Sequence, residues 1–203
     1  SSRPRRESAP PTDSTSARRP GGGVGLSLSH KSGERLVVRA GIVNGESCDL
    51  VGLRDCEVLL FDWSAQVTIE DCHHCRIVLG PIDGSLMLRA CTALDVSAAC
   101  RQFRCRDCRD CTARLFTPAP IIEASAGMRF APWSAGYAGL GAQLVAARMQ
   151  AFAERPDANK FDAVFDYSED DASLPTPHWS VLPTAEWGPR WQPPDDDGGG
   201  TPE

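Results

Sequence analysis

The chain has 203 residues, 41% hydrophobic and 24% charged, with a formal net charge of −6, so it can build one domain with a real core but lacks the overall basic surface that nucleic acid or an anionic membrane would want. No run of about 18 apolar residues is present, so no membrane-spanning helix is expected. Nine cysteines, an odd number, with no apolar leader in the first thirty residues argue for free thiols packed as small apolar groups rather than a secreted disulfide framework.

In chain order, residues 1–32 are rich in Pro, Ser, Gly and Arg (Arg3, Arg5, Arg6, Arg18, Arg19) and too poor in apolar side chains to fold, so they are expected to be a disordered basic tail. An internal repeat follows. The segments Leu53–Cys56, Ile69–Cys72, Leu88–Cys91, Cys105–Cys108 and Ile122–Ser125 align, with last positions 16, 19, 17 and 17 residues apart, and each of the first four is trailed by a short apolar run. Such a period is too short for a propeller blade or a helical hairpin and suits one coil of a β-helix. The fold class expected is therefore all-β, a solenoid of about 17-residue coils over 33–133, with Cys56, Cys72, Cys91 and Cys108 as an inward ladder at a tight corner. Residues 134–192 change character. Leu140, Leu144, Val145, Met149 and Phe152 share one face of a helix of about 15 residues ending near Arg155 and Pro156. The extended, aromatic segment after it (Phe161, Phe165, Tyr167, Trp179, Trp187, Trp191) is expected to wrap the solenoid and cover an end or edge. Residues 193–203 are a disordered acidic tail.

Cys72 and Cys75, flanking His73 and His74, and the series Cys105, Cys108, Cys111 are spaced like metal-ligand pairs. Their equivalence within the repeat assigns them to packing, and neither a metal nor an organic cofactor is expected. No nucleophile elbow occurs, His30 and His178 lie in peripheral segments, and no P-loop pattern is present. One constellation is left. In the run from Cys100 to Asp107, strand alternation puts Gln102, Arg104 and Arg106 on one face and Phe103 and Cys105 on the other. A narrow solenoid is apolar inside, so the first three form an outward polar row. The pattern alone does not separate a functional row from a solvated face with an Arg–Asp pair.

Three ordered stretches, 80–88, 99–108 and 120–132, resemble the tubulin-cofactor-C domain family, which includes tubulin-folding cofactor C and the retinitis-pigmentosa 2 protein. The similarity runs over roughly 35–133, and the stretches 159–167 and 177–183 are similar to the tail of the cofactor-C branch. The resemblance implies a right-handed β-helix. It also implies that Arg104 is the catalytic arginine of a GTPase activator. The family signature Cys-Gln-Gln-hydrophobic-Arg reads Cys100, Arg101, Gln102, Phe103, Arg104 here, with Arg101 in place of a glutamine. By the same resemblance Gln102 orients Arg104 or touches the partner, while Arg101, Arg106, Glu123 and Phe130 belong to the partner-binding surface. The implied partner is β-tubulin together with other tubulin-folding cofactors (D and E types), an Arf-like small GTPase being the alternative and a non-catalytic cytoskeletal scaffold the third reading. A cytoplasmic location with cytoskeletal or centrosomal association is expected on the same ground.

Overall fold

A chain that coils on itself must bring apolar residues back to the same inward column at every turn. Here this is done by short runs of alternating apolar residues joined through corners of left-handed backbone. The computed structural model describes residues 25–150 and 154–187, in which thirteen strands form one continuous parallel arrangement with two faces. The first face stacks β1 (Gly25–Ser29), β3 (Ser47–Val51), β5 (Gln66–Glu70), β7 (Ile82–Arg89), the second half of β8 (Asp95–Arg106), β10 (Pro120–Glu123) and β12 (Phe165–Asp166). The second stacks β2 (Arg35–Val38), β4 (Glu57–Leu60), β6 (Arg76–Leu79), the first half of β8, β9 (Thr112–Phe116), β11 (Met128–Pro132) and β13 (Trp179–Val181). The family-implied β-helix is thus the observed architecture.

Register fixes the lumen. Leu28, Leu50, Ile69, Leu88, Cys105 and Ile122 occupy one inward column, and Val58, Ile77, Val96, Ala113 and Phe130 face them from the other sheet. All are buried. Phe103 and Phe130 meet edge to face at 6.0 Å, and the small Ala113, register partner of Phe130, leaves it room.

At the corner between the faces, Ser32, Arg54, His73, Thr92, Arg109 and Ala126 are bridged from coil to coil, giving steps of 22, 19, 19, 17 and 17 residues. In each of the six coils two residues flanking this column sit at positive φ, and in three of them both are non-glycine: Asp71 and His74, Ala90 and Ala93, and Asp107 and Asp110. Non-glycine residues there cost roughly 1–2 kcal/mol each, offset by ladder bonds such as Asp71 N to Arg89 O and Asp107 N to Glu123 O.

This register corrects the expected cysteine ladder. Arg54 pairs with His73, so Leu53, not Cys56, shares the column of Cys72, Cys91, Cys108 and Ser125. Cys56 lies in a second column with Cys75, Leu94, Cys111 and Met128. The corner therefore has two inward columns, both buried, in which Cys alternates with Ser and with the larger Leu53, Leu94 and Met128.

Two other boundaries move. The solenoid begins at Gly25 in β1, inside the stretch expected to be tail, because Leu26 and Leu28 continue the inward columns. The remainder of that tail up to residue 24, Phe152, Trp191 and the acidic tail lie outside the described residues. The expected 15-residue helix is α1 (Leu140–Ala146), seven residues long. It ends because Arg148 is left-handed (φ 52°), with Arg148 N donating to Val145 O and Met149 N to Leu144 O. That is a Schellman stop with arginine where glycine is usual. Met149 is buried but lies beyond the helix, and Val145 is half exposed.

α1 closes the third side of the coils, where Ala147, Met149 and Leu144 pack on Trp63, Ala99 and Phe116. Gln143 Nε2 donates to Phe61 O (2.8 Å), and Gln143 Oε1 accepts from the Tyr137 hydroxyl (2.6 Å). After α1 the chain lays β12 and β13 on the last full coil, so the aromatic segment does cover an edge. Asn159 acts as a clasp, accepting from Thr117 N and donating to Leu115 O. No helix of the described residues is long and apolar enough to cross a membrane.

All nine thiols are buried and free. Burial pushes those of Cys48, Cys72 and Cys100 up to about 12 and that of Cys111 to about 11, from an ordinary 9.0. Below pH 9 both folded and unfolded chains keep these protons. Above it the unfolded chain loses them first, so stability falls as pH rises from 9 toward the folded values. The melting temperature should drop steeply between pH 9 and 11, and a thiol-reactive chromogenic disulfide at pH 8 should label the cysteines only on unfolding. Rapid labelling of the folded chain would contradict this packing.

Candidate functional site

The outward face of the first sheet carries the constellation read from sequence. β8 places Phe103 and Cys105 inward, and Arg104 and Arg106 exposed. In register, Arg104 lies between Met87 of β7 and Ile121 of β10, and Ile121 pairs onward with Phe165 of β12. Arg104 thus has apolar neighbours on both sides, while the row beyond Met87 turns polar through Thr68, Asp49 and Ser27. The next row reads Glu70, Arg89, Arg106, Glu123, with acids at the ends and bases in the middle. Tyr167 follows β12 and stacks edge to face on Phe165 at 4.8 Å, both largely exposed. A groove of about 440 Å³ runs between these rows, lined by Met87, Arg104, Arg106, Ile121, Glu123 and Tyr167.

The three arginines of β8 have different surroundings. Arg106 is charge-compensated: its Nε lies 3.4 Å from Asp107 and its Nη1 3.9 Å from Glu123. For Arg106 the solvated Arg–Asp face is the correct description. Arg101 is not on the groove at all. Its Nε donates to Asp83 Oδ1 at 2.9 Å, and its Nη2 donates to the carbonyls of Arg148 (2.7 Å) and Ala147 (3.4 Å). Its place in the partner-binding set is therefore corrected: the guanidinium is committed to the end of α1. Arg104 alone of the three has no carboxylate within ion-pair distance among the described residues. Its contact is a neutral one. With the Gln102 amide oxygen turned toward the guanidinium, that oxygen accepts from Nε at 3.1 Å and Nη2 at 2.9 Å, whereas the reverse orientation would set donor against donor. Gln102 thus holds Arg104 without neutralising it.

Glu123 is exposed at the end of β10, one coil beyond Arg106. Phe130 does not join this surface. It is fully buried, with Phe103 on one side and Trp179 at 6.4 Å on the other. Inward parity in β11 and the rigid lumen keep it from any partner, which corrects its assignment. Met87, Ile121, Phe165 and Tyr167 are site residues that the sequence reading passed over. The first two could have been found by carrying the repeat register outward from Leu86, Leu88 and Ile122. Phe165 and Tyr167 could not, because nothing in the sequence sets the register of β12.

Among the described residues, no three His, Cys, Asp or Glu side chains are placed to hold a metal.

The fold and site define a class: a parallel β-solenoid that displays an uncompensated arginine from a rigid sheet face. Residues 45–166 match the family described as Tubulin binding cofactor C, and the chain belongs to that family. Human Tubulin-specific chaperone C is 25% identical over 81% of this chain and 46% of its own length. Mouse Protein XRP2 is 35% identical over 70% of this chain and 39% of its own. The chain thus spans less than half the length of either relative. The solved structure of Tubulin Binding Cofactor C from Leishmania major shares the fold, with a TM-score of 0.54 at 22% identity, over 81% of this chain and 97% of that one.

Phe130→Ala should lower unfolding stability by about 3–5 kcal/mol, read as a shift in the urea midpoint. A midpoint unchanged by this substitution would return Phe130 to the surface.

Proposed function

We propose that the chain is a GTPase-activating module for tubulin in the tubulin-folding pathway, with Arg104 as the arginine supplied in trans. The observation that carries this reading is the contrast within β8: Arg106 is ion-paired, Arg101 is tied to the helix, and Arg104 is exposed and oriented by a neutral amide. Hydrolysis of GTP builds negative charge on the phosphoryl oxygens and on the leaving oxygen. A guanidinium answers it with a planar fork of donors and stays protonated at any working pH. An arginine already neutralised by a carboxylate would have less charge to offer. Gln102 keeps Nε and Nη2 in place, so little side-chain freedom has to be lost on docking, and the parallel ladder beneath keeps the strand from yielding.

Membership of the tubulin binding cofactor C family supports tubulin as the partner, acting with the other folding cofactors (D and E types). In this reading GTP hydrolysis on β-tubulin releases the assembly-competent heterodimer, in the cytoplasm and close to the cytoskeleton. The apolar row of Met87, Ile121 and Phe165 beside Arg104 supplies a dry contact, and the flanking charges of Arg106 and Glu123 supply register.

The test is GTP turnover by tubulin with the partner cofactors, wild type against Arg104→Ala. The stimulated rate should fall by roughly 10³-fold or more, since an arginine in trans contributes about 10³–10⁵, while the melting temperature changes little because the side chain is exposed. Full stimulation by the variant would remove Arg104 from the mechanism. An Arf-like GTPase tested in parallel, and stimulated where tubulin is not, would transfer the reading to that partner.

A further inference from the structure

The neighbourhood of Arg101 has a construction that the activation reading does not use. Ile82 pairs with Cys100 and Ser85 with Gln102, so two residues of β7, Asp83 and Gly84, face the single Arg101 of β8. This is a β-bulge, and bulges re-aim the side chains beside them. Gly84 is required there, since a Cβ would lie 2.5 Å from the Ala65 carbonyl oxygen. By strand parity Arg101 belongs with inward Phe103 and Cys105, where a charge has no place. Its guanidinium goes instead to the third side of the coil. There Asp83 takes Nε, and the carbonyls of Ala147 and Arg148 take Nη2.

Those two carbonyls belong to the stop of α1. Among the described residues no backbone N–H donates to them; they lie at the negative end of the helix, and one belongs to the left-handed Arg148. A cation donating to both satisfies the terminus and stabilises a conformation that arginine otherwise avoids. One residue further along β8 is Gln102, whose amide carries Arg104.

We infer that Arg101 is a positioning residue: by tying the bulge at Asp83 to the end of α1 it fixes the strand that carries Gln102, and so makes the readiness of Arg104 depend on the docked C-terminal helix. The consequence for activity rests on the reading proposed above. The geometric claim does not. Helix α1 is then a control element for a site it does not touch.

The test uses the full chain and reads Arg104 directly. The side-chain Nε–H signal of Arg104, identified by its loss in Arg104→Lys, reports by NMR how well Gln102 holds it. Arg101→Gln should speed exchange of that proton by about tenfold, and Asp83→Asn, which removes one tie only, by less. On a Gln102→Ala background Arg101→Gln should have no further effect, because Arg101 acts through Gln102. Arg101→Lys, which can reach Asp83 but has no fork for the carbonyls, should fall between. Unchanged exchange in both Arg101→Gln and Asp83→Asn would overturn the inference, as would an undiminished effect on the Gln102→Ala background. In turnover with tubulin, Arg101→Gln should lower the maximal stimulated rate by about tenfold and leave the half-saturating concentration within about twofold. A wild-type chain that gives no stimulation, with the exchange coupling intact, would sink the activation reading and leave the positioning role standing.

Discussion

The structure depends on the narrowness of its lumen. Two parallel faces joined by a tight corner leave room for one inward side chain per column and coil, and that single constraint selects apolar residues, mostly Leu, Ile and Val, on the strands and Cys, Ser, Leu or Met at the bend. It also decides what faces outward. Once Phe103 and Cys105 are committed to the lumen, Gln102, Arg104 and Arg106 have nowhere to go but the solvent side. The placement of the candidate site is a by-product of packing, and its rigidity comes from the ladder bonds that hold the coils in register.

Rigidity has a second source on the third side of the coils. The chain there departs from the strand pattern, with Asp62 accepting from the backbone of Val43, Asn44 and Trp63, and with Gln143 and Arg101 reaching from helix to coil and from coil to helix. These polar ties are few and specific. They join the solenoid to a helix too short to hold itself together by propensity, so α1 owes its existence to its seat and not to its sequence.

The repeat made most of the fold legible. Its period announced a β-helix, and its alternation announced the outward row around Arg104. Legibility failed where local rules were overridden. Cys56 was placed in the wrong column because its coil is 19 residues long and Cys75, not Cys72, stacks on it. The extra residues of the early coils fall on the third side, between β2 and β3 and between β4 and β5, while the corner keeps its length. The helix read as twice its length because Arg148 ends it in a conformation that sequence rules reserve for glycine. Leu26 and Leu28 were lost in a polar tail because two apolar residues are too little signal to outweigh their neighbours. Of the site residues, Arg104 and Gln102 stood on the expected face, whereas the roles given by resemblance to Phe130 and Arg101 ran against parity. An inward aromatic cannot greet a partner, and an arginine at an inward position must leave the strand to find acceptors.

The end of the solenoid has a chemical full stop. The inward column that runs through Leu28, Leu50, Ile69, Leu88, Cys105 and Ile122 arrives, one step later, at Asp166. Its carboxylate lies 2.7 Å from His178 Nδ1, both side chains almost wholly enclosed. A parallel coil with an apolar rim is a seed: another chain could add its strands to the exposed backbone and continue the stack without limit, as fibrils do. A carboxylate–imidazole pair at that position gives an incoming apolar side chain nothing to pack on and a desolvation penalty to meet. The same few atoms close the inward column at its last described coil and make it a poor template for further stacking.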